Sequence, residues 1–259
     1  MELIFLGTGT SQGVPMIAQP EGMLDINNSK NWRTRSSVHV VMDGVHIQVD
    51  ASPEFRLQCL REDITQMDYF LLTHSHADHI LGMDDLRRFC DLSDTGNLTI
   101  YCEPADGQRV LDIFPYAVRD TPVAPGYPAF VLKDMPDVLD LECGTISKTV
   151  LPHGNFKVNG YVFTERSSGK KIAYYTDCVR VPGEAEQLAK GSDVVVLDAT
   201  LHKPHPAHMS IAQACDAALR IGAPKTYFTH MSFYIDHDVA QSKLPEGIYF
   251  AWDGLRLTI

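Results

Sequence analysis

Short apolar runs recur along the chain, separated by polar turns, and read as β-strands: ELIFLG, SSVHVVM, VHIQVD, YFLLTH, LTIYC, GTISKTVL, GYVFTER, KIAYYTD, DVVVLDA, KTYFTH and GIYFAW. Several are almost wholly apolar, as expected of strands covered on both faces. Helical periods lie between them. Ile80, Met83, Leu86 and Phe89 recur at helical spacing and predict a helix through HILGMDDLRRFC. The segment SIAQACDAALRIG opens on a capping box, Ser210 with Gln213, and closes on Gly222. The most proline-rich stretch, 119–136, predicts a surface loop or insertion and is too short to link independent domains. Residues 1–259 therefore read as one α/β domain. A faint echo divides it: a hairpin-like pair ends at Asp50 and precedes YFLLTH, and a second ends at Asp177 and precedes DVVVLDA. That suggests two related β/α halves with polar groups gathered at one strand edge.

Composition narrows the function classes. The 259 residues are 44% hydrophobic and 21% charged, ample for a sizeable core. A formal net charge of −11 argues against broad capture of DNA or RNA. Bound cations would offset that charge locally and let a cleft accept an anion. Six dispersed cysteines form no C-x2-C pair, which predicts reduced thiols in the cytoplasm. No run reaches the roughly 18 apolar residues of a membrane span, and MELIFLGTGT lacks the basic start of a signal peptide.

The chemistry concentrates in LLTHSHADHILG. His74, His76, Asp78 and His79 fall within six positions behind an apolar run. His74 and His76, two apart, can share one side of an extended loop, while Asp78 and His79 fall at a predicted helix start. Four ligand groups on six residues cannot easily surround one ion, so the spacing suits two neighbouring metals. Imidazole suits Zn, Fe or Mn, and carboxylate favours the harder of these. His153, Asp177 and His230 each close a later strand-like run. A lone histidine there is more often a hydrogen-bonded surface residue. Beside the cluster, the three supply the groups missing from two incomplete sites.

These residues make the chain resemble the metallo-β-lactamase fold hydrolases. The signature H-x-H-x-D-H stands as His74, His76, Asp78 and His79, and the family's later His, Asp and His are matched by His153, Asp177 and His230. The resemblance spans essentially the whole chain. LGTGTSQGVP and AWDGLRL narrow it toward the branch of phosphoribosyl cyclic phosphodiesterase and, more distantly, tRNase Z. It implies a four-layer αββα sandwich. It also implies that His74, His76 and His153 hold one metal, that Asp78, His79 and His230 hold the other, and that Asp177 bridges them. Such a bridge keeps cations roughly 3.5–4 Å apart and turns a shared water into hydroxide near neutral pH. His208, in LHKPHPAHMS, matches the H-x-S/T element of this branch, which implies help with proton transfer; the bland alternative is a helix-entry histidine. Asp50 is either an acceptor for a ligand-histidine N–H or a strand-end turn former. His202 and His205 read as loop residues, and His39, His46, His237 and Arg87 receive no role. Gly7, Gly9 and Gly13 lack the G-K-S/T of a phosphate loop; the resemblance implies a tight loop near the cleft.

The chain also departs from its relatives. Many in this branch carry cysteine ligands for a structural zinc just after QGVP. Residues 16–35 here contain no cysteine, so no structural zinc is expected and other packing must hold that loop. The long basic arm with which tRNase Z grips tRNA is not evident. The expected function is hydrolysis of a small, cyclic or linear, phosphodiester by a hydroxide held on two divalent ions, Zn or Mn with Fe also suiting, and His208 assisting. A tRNase Z-like nuclease and a thioester or lactam hydrolase on the same scaffold are alternatives, as is a non-catalytic metal-binding protein. A di-iron redox role needs H-x-E-x-D, where His76 stands instead of Glu. The expected partner is a small molecule, not nucleic acid or membrane; the sequence leaves a homodimer open.

Overall fold

The computed structural model describes residues 1–259. Numbered in chain order, one seven-stranded sheet runs β14 (Arg256–Thr258), β1 (Glu2–Gly7), β2 (Ser37–Met42), β3 (Val45–Val49), β4 (Tyr69–Leu71), β5 (Leu98–Cys102), β6 (Phe130–Asp134). The other runs β13 (Ile248–Phe250), β12 (Lys225–Thr229), β11 (Val194–Asp198), β10 (Lys171–Tyr175), β9 (Phe156–Glu165), β8 (Gly144–His153), β7 (Val138–Leu141). Both follow one plan. Antiparallel pairing from β1 to β3 gives way to parallel pairing from β3 to β6, and antiparallel pairing from β7 to β10 gives way to parallel pairing from β10 to β13. The echo in the sequence is this repeat. Asp50 and Asp177 both lie just past the strand where the pairing changes.

Strand alternation builds the layers. Leu3 and Phe5 of β1 enter a core shared with Ile172 and Tyr174 of β10 and Val194 and Val196 of β11, between the sheets. The intervening Ile4 and Leu6 face outward, under α1 (Phe55–Glu62), α2 (Ala77–Ile80), α3 (Arg87–Leu92) and α4 (Pro104–Ile113). Ala173, Tyr175, Val195 and Leu197 face outward from the second sheet, under α5 (Gly183–Ala189), α6 (Ile211–Ile221) and α7 (His237–Gln241). Helices thus flank two packed sheets, the αββα sandwich, and double coverage explains the continuous apolar strands. Helix α6 carries both sides of the Ser210–Gln213 capping box and ends on left-handed Gly222.

Three expectations change. The helix expected through HILGMDDLRRFC is broken into α2, a 3-10 turn at Met83–Leu86, and α3. The Ala51 N–H takes the His79 carbonyl that a continuing helix would use, and the Gly82 N–H donates to the Ala51 carbonyl. Ile80, Met83, Leu86 and Phe89 are still all buried. The stretch 119–136, expected to be loop, contains edge strand β6, whose FVLKD is too short and half-exposed to show alternation. Strands β7 and β14, equally short, also escaped the pattern.

The loop 16–35 docks on the chain that follows His230. The buried Arg33 guanidinium donates to the carbonyls of Ser232 at 3.2 Å and Ile235 at 2.7 Å. The Asn31 amide reaches Asp236 at 2.8 Å and Asn28 reaches Asp238 at 2.9 Å. Burial pulls Arg33 down to about 10, against the pull of Asp253 and Asp236. All six cysteines are unpaired, and no helix is long and apolar enough to cross a membrane.

Candidate metal centre

The residues singled out in the sequence meet at the carboxyl ends of the parallel strands, where the two sheets face each other. His74 lies in the turn after β4, His76 caps α2, and Asp78 and His79 occupy its first turn. His153 is the last residue of β8, and Asp177 and His230 follow β10 and β12. Asp50, Asp177 and His230 hold left-handed backbone conformations at φ 61°, 51° and 59°. Such geometry disfavours side-chain-bearing residues by roughly 1–3 kcal/mol each, and here it turns three functional side chains inward from strand ends.

Ligand-capable atoms gather in two groups sharing one carboxylate. His74, His76, His153 and Asp177 each bring an atom within 4.8 Å of the others, and so do Asp78, His79, Asp177 and His230. Asp177 Oδ2 lies 3.2 Å from His79 Nε2 and 3.6 Å from His74 Nε2, while its Oδ1 lies 3.1 Å from His230 Nε2. Asp78 Oδ2 lies 3.3 Å from His79 Nε2. The geometry gathers these residues into two sets of ligand-capable atoms, with Asp177 common to both.

The surroundings fix which imidazole nitrogen points inward. His79 donates its Nδ1 proton to Asp50 Oδ2 at 2.7 Å, and Asp50 also accepts from the Thr73 N–H and hydroxyl, both at 2.8 Å. His153 donates from Nδ1 to the Ala207 carbonyl at 3.0 Å. Each is left with Nε2 free to coordinate. His230 Nε2 is buried and makes no hydrogen bond, an orphaned polar atom in a polar site. The donor set of imidazole nitrogens and carboxylate oxygens suits Zn, Mn or Fe.

The electrostatics agree. Burial would drive Asp177 toward its neutral form, but His230, His79 and His74 together hold it well below the usual carboxylate range. Burial likewise opposes a charge on His79, and Asp177, Asp78 and Asp50 outweigh it, raising that imidazole well above its ordinary value. His74, with less acidic company, is lowered well below its ordinary value by burial and by His79. A divalent ion held here would supply positive charge beside these carboxylates and favour His79 with Nε2 deprotonated to bind it.

His208 stands beside both groups. Its ring stacks on His230 with centroids 4.7 Å apart and meets His153 edge-on at 4.8 Å. Nδ1 donates to Asp198 Oδ2 at 2.7 Å. Burial opposes protonation, but Asp198, with Asp177 and Asp78 behind it, raises His208 to about 9. Asp198 was missed in the sequence. The available signal was its position at the acidic end of β11, the same strand-end rule that marks Asp50 and Asp177. Asp198, His208 and His230 could themselves cluster around an ion. Yet Asp198 already accepts from the Cys178 N–H at 3.0 Å and the Thr200 hydroxyl at 2.7 Å, so its oxygens are committed to holding His208.

The other histidines divide. His205 lies 5.4 Å from His208, His202 reaches the Tyr234 carbonyl at 3.1 Å, and His39, His46 and His237 lie outside the two groups. Phe156, unremarked in the sequence, is 62% exposed at the β8–β9 turn with its ring edge-on to His76 at 5.4 Å. The glycine-rich start lies alongside: the Met231 N–H, next to His230, donates to the Thr8 carbonyl at 2.9 Å. A separate groove between α1 and α3, lined by Arg56, Leu60 and Arg88, holds none of these residues.

Comparison with known proteins places this arrangement. The family model described as a beta-lactamase superfamily domain matches residues 46–231. A crystal structure described as a new diphosphatase from the PhnP family superposes with a TM-score of 0.89 at 32% identity, covering 99% of this chain and 96% of that one. An octanoyltransferase of Porphyromonas gingivalis is 33% identical over 100% of this chain, which spans only 52% of that protein. A ribonuclease Z of Acaryochloris marina is 26% identical over 68% of this chain and 72% of its own length.

Proposed function

The chain belongs to the beta-lactamase superfamily, a fold family of mostly metal-dependent hydrolases, and from that premise we propose that residues 1–259 act as a dimetal hydrolase of a small phosphodiester, cyclic or linear. The observation that carries this reading is Asp177, shared between two sets of inward-facing nitrogens and oxygens, with an Asp198-anchored imidazole alongside. His74, His76, His153 and Asp177 would hold one ion, and Asp78, His79, His230 and Asp177 the other. Two such ions polarise a phosphoryl oxygen and make water a competent nucleophile near neutral pH.

The chain's own groups do the rest. Asp50 holds the His79 ring through Nδ1, and Ala207 holds His153, so neither ligand needs to reorganise during turnover. Asp198 fixes His208 with Nε2 free, and protonated His208 gives a proton to the departing oxygen. Phosphorus chemistry is favoured over thioester or lactam cleavage by the diphosphatase and ribonuclease Z among the similar proteins. The octanoyltransferase name belongs to a protein about half of which has no counterpart here. With a net charge of −11, a small diester is favoured over tRNA.

Steady-state hydrolysis of bis-p-nitrophenyl phosphate, set beside a thioester and a β-lactam, tests the reading; the reverse preference sinks it. Replacing His208 with alanine should leave two metals bound and slow turnover by roughly 10²–10⁴-fold. Metal loss in that variant would put His208 in the coordination shell instead. Phe156, exposed beside His76, offers a flat face to the substrate's leaving group. Phe156→Ala should raise KM for bis-p-nitrophenyl phosphate about three- to tenfold while leaving kcat and metal content little changed; an unchanged KM would remove Phe156 from the binding surface.

A further inference from the structure

A buried polar strip runs beneath the candidate centre where packing alone would favour apolar residues. On the outer face of the first sheet, β1 presents Ile4 and Leu6 and β4 presents Phe70, with Leu72 just beyond it, all in one apolar cluster. Between them, β2 and β3 present His39 and Gln48, paired across the strands and fully buried. Buried polar groups of this kind persist at a cost unless every partner is satisfied.

The hydrogen bonds here have one consistent direction. The Gln48 Nε2 group lies 2.7 Å from the Asp50 carbonyl and 3.2 Å from the Val49 carbonyl, both acceptors, so the amide nitrogen must face them. Gln48 Oε1 then accepts from His39 Nδ1 at 3.1 Å, and His39 Nε2 accepts from His46 Nδ1 at 3.0 Å. Burial holds His39 down to about 4, so its ring is neutral at ordinary pH and the tautomer is defined by these contacts. The chain ends on Asp50, whose backbone is left-handed at φ 61° and whose carboxylate holds His79.

We propose that Gln48, with its amide orientation set by His39, is a positioning residue for the metal ligand His79: it pins the carbonyl of Asp50 and so holds that residue in the strained conformation that aims its carboxylate at the imidazole. The inference rests on the reading of His79 as a ligand. It assigns roles to residues outside the coordination shell that the sequence left without any.

Three variants test it, read by titrating the metal-free protein with Zn or Mn under chelator competition and by thermal melting of the metal-free form. Gln48→Met keeps side-chain volume and removes the donor; it should weaken one of the two metal affinities about tenfold, the scale at which groups behind a ligand act. His39→Leu should weaken the same affinity. His39→Gln, which can still donate to Gln48 Oε1, should restore it. A purely structural strip predicts lower melting temperatures with unchanged metal affinities, and that result would overturn the inference. Equal losses in both His39 variants would overturn it too. If Gln48→Met fails to fold, the His39 pair decides alone. Wild-type protein that binds no divalent ion would instead sink the metal reading, and this inference with it.

Discussion

Asp177→Ala should abolish nearly all hydrolysis, lowering kcat/KM by about 10⁴-fold, or several kcal/mol of transition-state stabilisation, and should leave at most one ion per chain by elemental analysis. The size follows from geometry. Asp177 is the one residue in both ligand groups, with Oδ2 facing His74 and His79 and Oδ1 facing His230. Removing a terminal ligand weakens one ion. On the two-ion reading, removing this one would also delete the anion between two cations, which would then repel. The carboxylate is buried and flanked by three imidazoles that keep it ionised, so no other group takes its place. A variant that keeps two ions and most of its activity would show that Asp177 is not shared, and the two-ion reading would fail.

The second large effect is on stability. Gly82→Ala should destabilise the fold by about 3 kcal/mol, lowering the melting temperature by roughly 6–12 °C for a chain of this size. Gly82 has an ordinary backbone conformation at φ −87°, so conformational freedom is not the reason. An added Cβ would sit 1.9 Å from the Ser52 carbonyl oxygen and 2.7 Å from Phe55 Cβ. The segment following Asp50 would have to move away, although it is tied to α2 through Ala51, which bonds both His79 and Gly82. The same variant should therefore lose affinity for the ion at Asp78 and His79. A stable Gly82→Ala protein with intact metal binding would show that this junction yields freely.

The two halves differ in how the chain holds the histidines of the candidate site, so different variants report on each. Asp50 accepts from His79 directly after β3, whereas Asp198, at the end of β11, accepts from His208. On the proposed function, the first pair would orient a ligand and the second a proton donor. Losing Asp50 should thus register in metal content, and losing Asp198 in turnover.

The seven ligand-capable residues, the strands that carry them and the repeat at Asp50 and Asp177 were determined by the sequence, because each ends or follows an apolar run whose length and burial are local properties. The capping box of α6 was legible for the same reason. What only the tertiary structure decided are pairings across long separations. Asp198 meets His208 because the intervening loop closes, with the Thr200 N–H on the Met209 carbonyl and the Ile211 N–H on the Leu201 carbonyl. The break at Gly82 depends on the Ala51 N–H, from a distant part of the chain, taking the His79 carbonyl, and helical periodicity carries no trace of that. His39 and Gln48 carry no signal of a role in the sequence, and only the folded sheet buries both completely. Periodicity reports which face of an element turns inward; which distant group waits there is set by how the elements pack.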